Sequence, residues 1–222
     1  AGEMYLLTGH KWFCSAPMCD AFLTLAQTEN GLSCFLLPRW REDGKLNTFQ
    51  VQRLKNKLGN RSNASSEIEL WDAQAWLIGE EGRGVPTIIE MVALTRYDCM
   101  IGSSALMRRA LSEVLFHVSR RKVMGDLLAA KPLMQMVVAD LCLEAEASFR
   151  FFFFTAMALQ NASSSETEAV LLRILTPVGK YWITKRANGF LAEAMECIGG
   201  NGYVEDSILP RLFRESPVNA IW

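Results

Sequence analysis

The spacing of the apolar residues changes near residue 80, and this restricts the fold more than any other feature of the chain. Before it, short apolar runs at Met4–Leu7, Ala21–Ala26 and Leu32–Leu37 are separated by Gly9, Pro17, Asn30-Gly31, Pro38 and Asp43-Gly44. Ser66–Trp71 alternates Ile68 and Leu70 with Glu67 and Glu69, the period of a half-buried strand. Glu29-Asn30-Gly31 predicts a hairpin with a type I′ turn, because Asn-Gly tolerates positive φ. Beyond the loop at Glu80–Gly84 the period becomes helical. Ile88, Met91, Val92, Thr95, Cys99, Gly102, Leu106, Arg109, Leu111, Leu115 and Val118 follow steps of three and four, with a break at Gly125. A second helix is expected over Pro132–Gln160, with proline in the first turn. Ser165 and Glu168 have the spacing of a capping box for a third helix that ends before Gly199-Gly200. A shorter helix is expected at about Asp206–Glu215. No βαβ alternation appears, which argues against a parallel sheet. The prediction is an α+β chain: an antiparallel, barrel-like β domain over residues 1–80, then an up-and-down α-helical bundle over 81–222.

Half of the 222 residues are apolar, which supports a sizeable core and excludes a disordered chain. A net charge of -1 leaves no overall positive field for nucleic acid or an anionic membrane. The longest strongly apolar stretch, Phe151–Leu159, is far shorter than the about 20 residues of a membrane span. Cys14, Cys19, Cys34, Cys99, Cys142 and Cys197 form no C-x-x-C pair, and scattered thiols suit a reducing, cytoplasmic setting. Glu144, Glu146, Glu166 and Glu168 invite a di-iron reading, but no histidine accompanies them, so no metal is expected. Ala1-Gly2-Glu3 without a start methionine and the apolar close Ile221-Trp222 suggest a fragment.

Several local patterns suit both a structural and a chemical role. In Gly9-His10-Lys11-Trp12-Phe13-Cys14-Ser15, strand alternation would put Phe13 and Ser15 on one face, able to wall and hydrogen-bond a flat heterocycle or simply to pack. Arg120-Arg121-Lys122 suits a helix C-terminus or a phosphate. Ile198-Gly199-Gly200-Asn201-Gly202-Tyr203 is a helix stop, or a bare backbone that a pyrophosphate can approach; it lacks the strand context of a Rossmann fingerprint. His10 and His117 read as surface and structural residues.

In order along the chain, these patterns resemble the acyl-CoA dehydrogenase superfamily. Gly9–Ser15 resembles its flavin-wall strand, Lys57-Leu58-Gly59-Asn60-Arg61-Ser62 its later middle-domain signature, and Ile78–Gly84 its crossing into the helical domain. Thr95-Arg96, Arg121–Gly125, Ile198–Tyr203 and Arg214 follow at family-like spacing. Asn60–Ser65, Lys131-Pro132-Leu133-Met134 and Glu215–Trp222 resemble the AidB-like, alkylation-response branch.

The resemblance implies an FAD-dependent oxidoreductase that removes hydrogen from the α and β carbons of an acyl-CoA thioester, working as a homodimer or homotetramer. It implies FAD between the middle domain and the bundle, with Phe13 on the isoalloxazine and Ser15 hydrogen-bonding its edge. Arg121 would face the pyrophosphate of the partner subunit's FAD, Met124 its adenine, and Glu196, Gly199 and Gly200 would touch the same cofactor. Phe13, Ser15, Met124 and Glu196 replace the family's usual Trp, Thr, Phe and Gln; a carboxylate at 196 should repel a diphosphate. Thr95 and Arg96 would lie in the acyl-CoA region. The family's glutamate base would follow Trp222, so no catalytic residue is assigned in this chain. The electron acceptor is left open. In the AidB-like branch DNA contact would belong to a basic extension beyond residue 222.

Overall fold

The computed structural model describes residues 3–222, which divide into two units, one up to Val92 and the other Ala93–Trp222. In the first, five strands form one antiparallel sheet: β1 (Met4–Cys14), β2 (Ala21–Thr28), β3 (Gly31–Pro38), β4 (Phe49–Leu54) and β5 (Ser66–Ile78). The order is β1-β5-β3-β2, with β4 also paired to β5. Strand β5 is shared along its length. Residues 66–70 pair with the end of β1 and with β4, whereas 73–78 pair with the start of β1 and with β3. The change of partner falls at an irregularity where Asp72 takes φ 51° and binds the Thr8 hydroxyl at 2.8 Å. Leu7, Phe35, Leu37, Ile68, Leu70, Ala73 and Ala75 form the core, with Tyr5 edge-on to Phe35 at 5.1 Å.

Two sequence expectations change here. Thr28 pairs with Gly31, so the β2–β3 turn is Glu29-Asn30, and neither residue has positive φ; the turn is not type I′. Gly31 carries the positive φ instead, at the first residue of β3. Strand β4 was not anticipated; all of Phe49–Leu54 except Phe49 is exposed. The crossing segment after β5 lies tightly on this hairpin. The Gly82 amide donates to Ser33 Oγ at 2.8 Å, and Asn30 donates to Glu81 at 2.6 Å.

Helix α1 (Gly84–Val118) starts in the first unit and continues in the second, where α2 (Pro132–Asn161), α3 (Glu166–Ile198), the short α4 (Gly200–Tyr203) and α5 (Leu209–Ile221) complete a bundle. The expected caps form: Pro132 opens α2, and Ser165 Oγ accepts from the Glu168 amide at 3.4 Å. Helix α3 ends at Gly199, whose φ of 71° suits glycine. The apolar stripe of α1 matches the predicted one at Cys99, Leu111 and Val118 and is displaced by about one position elsewhere. Met100, Met107, Ala110, Leu111, Val114 and Val118 are buried, whereas Arg109 and Leu115 are exposed. No helix among the described residues is long and apolar enough to cross a membrane.

Helix α5 is held by polar contacts as well as by buried Leu209 and Leu212. Ser216 Oγ meets Asn188 Oδ1 at 2.5 Å, Asn219 Nδ2 donates to Ser103 Oγ at 3.0 Å, and Lys180 Nζ donates to the Ala220 carbonyl at 3.0 Å. Ser103 is fully buried, so Asn219→Ala strands a hydroxyl. The expected cost is about 1–2 kcal/mol. Urea unfolding checks this; an unchanged midpoint would show that the bond contributes nothing.

Candidate functional site

In the strand unit the chemistry gathers at the end of β1. The pairing jumps from Lys11↔Ile68 to Cys14↔Ser66, so three steps of β1 face two of β5. Such a bulge breaks the alternation of side chains. Trp12 and Phe13, adjacent in sequence, therefore flank the same group. Lys55 Nζ lies 3.1 Å from the Trp12 ring centroid and 4.7 Å from that of Phe13. Both rings are open to solvent, at 56% and 63% exposure. Ser15 is half-buried just past the strand, in a bend, so the face-sharing argument for Phe13 and Ser15 does not apply.

Lys55 is anchored from below. Its ammonium donates to Glu67 Oε1 at 2.6 Å, and Arg53 Nε donates to the same oxygen at 2.8 Å. The Lys55 and Glu67 side chains are 11% and 8% exposed. The Lys55 hydrogen bond first, and Arg53 with it, outweigh burial and hold the Glu67 carboxyl below its ordinary 4.5. The folded chain thus takes up this proton less readily than the unfolded chain. The resulting stability is present above pH 4.5 and is lost as pH falls through the lowered folded value. An acid titration followed by tryptophan emission should show the strand unit loosening there. Glu67→Gln should shrink that transition, and an identical profile would remove Glu67 as its source.

In the helical unit, residues 121–125 belong to a small hairpin that the sequence reading treated as a helix end. Strands β6 (Lys122–Val123) and β7 (Asp126–Leu127) join through Met124 at φ 52° and Gly125 at φ 89°. Two successive positive φ values describe the type I′ turn that was expected at Asn30-Gly31. Met124 is 94% exposed at this tip. The Arg121 backbone is fixed by its amide to the His117 carbonyl at 2.9 Å and its carbonyl to the Leu128 amide at 2.7 Å. Its guanidinium is exposed and, among the described residues, has no carboxylate within ion-pair distance.

Glu196 is exposed in the last turn of α3. Gly199 and Gly200 follow, and a Cβ at either would meet nothing within 4 Å. Packing therefore does not explain glycine at 200; its backbone is open to approach. Thr95 and Arg96 are half-buried on α1. Phe13 and Ser15 thus belong to the strand unit, and Thr95, Arg96, Arg121, Met124, Glu196, Gly199 and Gly200 to the helical unit. Sequence reasoning missed Trp12, Arg53, Lys55 and Glu67. Glu67 was read as the polar side of a half-buried strand, whereas it is 6% exposed.

Comparison with known proteins matches residues 82–222 to the C-terminal domain of acyl-CoA dehydrogenase and residues 1–73 to its middle domain. The chain is 50% identical to the putative acyl-CoA dehydrogenase AidB of Escherichia coli K12, over 98% of this chain and 40% of that protein. The structure of Caenorhabditis elegans ACDH-11 in complex with C11-CoA superposes with a TM-score of 0.93 at 37% identity, covering 100% of this chain and 40% of that one. An acyl-CoA dehydrogenase of Bacillus anthracis complexed with FAD shares the fold, with a TM-score of 0.87 at 19% identity over 99% of this chain and 40% of that one. The chain spans about 40% of the length of these proteins.

Proposed function

The chain belongs to the acyl-CoA dehydrogenase family, and on that premise we propose that the whole protein binds FAD and dehydrogenates an acyl-CoA thioester. The observation that carries the cofactor assignment is the Arg121–Met124 hairpin tip. An apolar side chain is 94% exposed on a backbone with positive φ, near a guanidinium that has no carboxylate within ion-pair distance among the described residues. A left-handed methionine costs strain and its exposure gains nothing for this unit, so an external surface is its natural partner. Adenine beside Met124 and a pyrophosphate beside Arg121 match that chemistry.

When bound, the flavin supplies hydride acceptance from the β-carbon. The chain's own residues bind and orient. Phe13 would present a ring face to the isoalloxazine, and Ser15 a hydroxyl to its edge. The bare Gly199-Gly200 backbone admits the cofactor closely. Thr95 and Arg96 would lie in the acyl-CoA region. The α-proton requires a base outside this set.

The reading includes a homo-oligomer, since Arg121, Met124 and the 196–200 turn would serve a partner subunit's flavin. Exposed Phe153, Phe154 and Met157 on α2, and Ile174 and Tyr181 on α3, support an apolar contact surface. An obligate interface would bury well over roughly 1,000 Å². The assignment extends to the alkylation-response branch and to the cytoplasm, supported by the similarity to AidB and by six unpaired cysteines.

The test is to purify the whole protein, record its visible spectrum, and follow bleaching of an artificial electron acceptor with a short branched acyl-CoA. A flavin spectrum with substrate-dependent bleaching supports the proposal. A colourless protein that takes up no FAD rejects the cofactor, and a yellow protein without turnover rejects the reaction.

A further inference from the structure

Beneath the aromatic end of β1 lies a charged assembly that local sequence did not reveal. Lysine usually extends its ammonium into water. Here Lys55 lies under two ring faces, with only 11% of its side chain exposed. Burying an ammonium is unfavourable unless it is paired, and Glu67 supplies the pair. Arg53 Cζ lies 5.9 Å from the Trp12 centroid and shares the Glu67 oxygen. Two cations and one carboxylate leave a net positive charge behind the rings. The rings themselves are more than half exposed, with the His10 ring 6.0 Å from that of Trp12.

An exposed aromatic side chain ordinarily samples several rotamers. A cation at 3.1 Å from one ring and 4.7 Å from the next restrains both, because each ring must keep a face toward the charge. The β-bulge makes this possible by turning neighbouring residues to the same side. The geometry points to Lys55 as a positioning residue: pinned by Glu67, it holds Trp12 and Phe13 as a single two-ring platform whose open face receives the isoalloxazine. This rests on the proposal that Phe13 walls the flavin, and it adds Trp12 to that wall. The platform is ordered before the cofactor arrives, so binding need not order it.

The experiment uses the whole protein stripped of flavin and titrated with FAD, followed by quenching of flavin fluorescence. Lys55→Met alone would leave Glu67 buried and uncompensated, so it is combined with Glu67→Gln. The double variant should bind FAD about tenfold more weakly, the scale of one desolvated cation–π contact, and Lys55→Arg should recover most of the loss. A second readout needs no flavin. The emission of Trp12, isolated as the difference between spectra with and without Trp12→Leu, should change in wavelength and intensity when Lys55 is lost. A merely structural lysine would lower the melting temperature without moving the Trp12 emission. If the double variant does not fold, Trp12→Leu at its exposed position decides: it should weaken FAD binding in the same direction. Wild-type affinity in the folded double variant or in Trp12→Leu, or an unchanged Trp12 emission, overturns the inference. Failure of the wild type itself to bind FAD overturns the proposed function as well, and the two failures are thereby distinguished.

Discussion

Gly84→Val is expected to destabilise the strand unit strongly, lowering its denaturant midpoint. A Cβ at residue 84 would lie 2.6 Å from the Ser33 carbonyl carbon, 2.8 Å from the Leu32 oxygen and 2.8 Å from Ser33 Cα. All three are backbone atoms of β3, which is paired to β2 along its length and to β5 at Cys34–Leu36. Strand β3 cannot withdraw without breaking one ladder or the other. Ser33 is fully buried and also holds the Gly82 amide, so the crossing segment would be displaced with it. Overpacking against a fixed backbone should cost about 3 kcal/mol or more, against a total stability of about 5–15 kcal/mol. Gly179 is the comparison. A Cβ there would come within 2.3 Å of Met100 Cε, the end of a flexible side chain that can move aside. Gly179→Ala should therefore cost less, about 1 kcal/mol. Denaturant melts of both variants check the contrast. A Gly84→Val chain that melts like wild type would show that the crossing segment has room to shift.

What could be read before the structure was local in origin. The strand-to-helix change and the caps at Pro132, Ser165 and Gly199 depend on residues within a few positions of one another. The failures have a common cause in distance along the chain. The stripe of α1 was partly misplaced because Ser103, Ser104 and Ala110 are buried on its core face among Met100, Met107, Leu111 and Val114. Small and hydroxyl residues give no hydrophobic signal. Strand β4 takes its ladder from β5, and the Phe49-Gln50-Val51-Gln52 alternation that accompanies it is short. The bulge at Trp12-Phe13 follows from the register with Ile68 and Ser66, more than fifty positions away, and it overrules the alternation that placed Phe13 beside Ser15. Lys55 under the two rings is a consequence of both. The type I′ turn illustrates the same limit. Asn30-Gly31 has the favoured residues, but the pairing of Thr28 with Gly31 sets the turn one residue earlier, and Met124-Gly125 adopts the geometry instead. The candidate residues were found through family resemblance; the coordinates add that Met124 is 94% exposed and that Arg121 has no ion-pair partner among the described residues.

Arg121→Glu and Glu196→Gln should move FAD affinity of the whole protein in opposite directions. Arg121 is exposed and has no ion-pair partner among the described residues, so reversing its charge should change folding stability by less than about 0.5 kcal/mol. If its guanidinium binds the pyrophosphate, the reversal removes a charge-assisted contact of about 1.5–3 kcal/mol and adds repulsion. The expected result is a dissociation constant raised about 100-fold. Glu196 differs in sign. Its carboxylate stands in the last turn of α3, where the helix dipole is already negative, next to the Gly199-Gly200 backbone that the diphosphate would approach. Neutralising it should tighten FAD binding about three- to tenfold by removing a like-charge contact near the protein surface. It should also raise the melting temperature slightly, since an unfavourable charge–dipole interaction of about 0.3–1 kcal/mol is lost. Both affinity effects should shrink as salt rises from low to physiological strength, because both groups are exposed and screened. Titration of flavin-stripped protein with FAD at two salt concentrations measures this directly. Two variants that shift affinity the same way, or an Arg121→Glu protein that binds FAD like wild type, would place the diphosphate elsewhere on the helical unit.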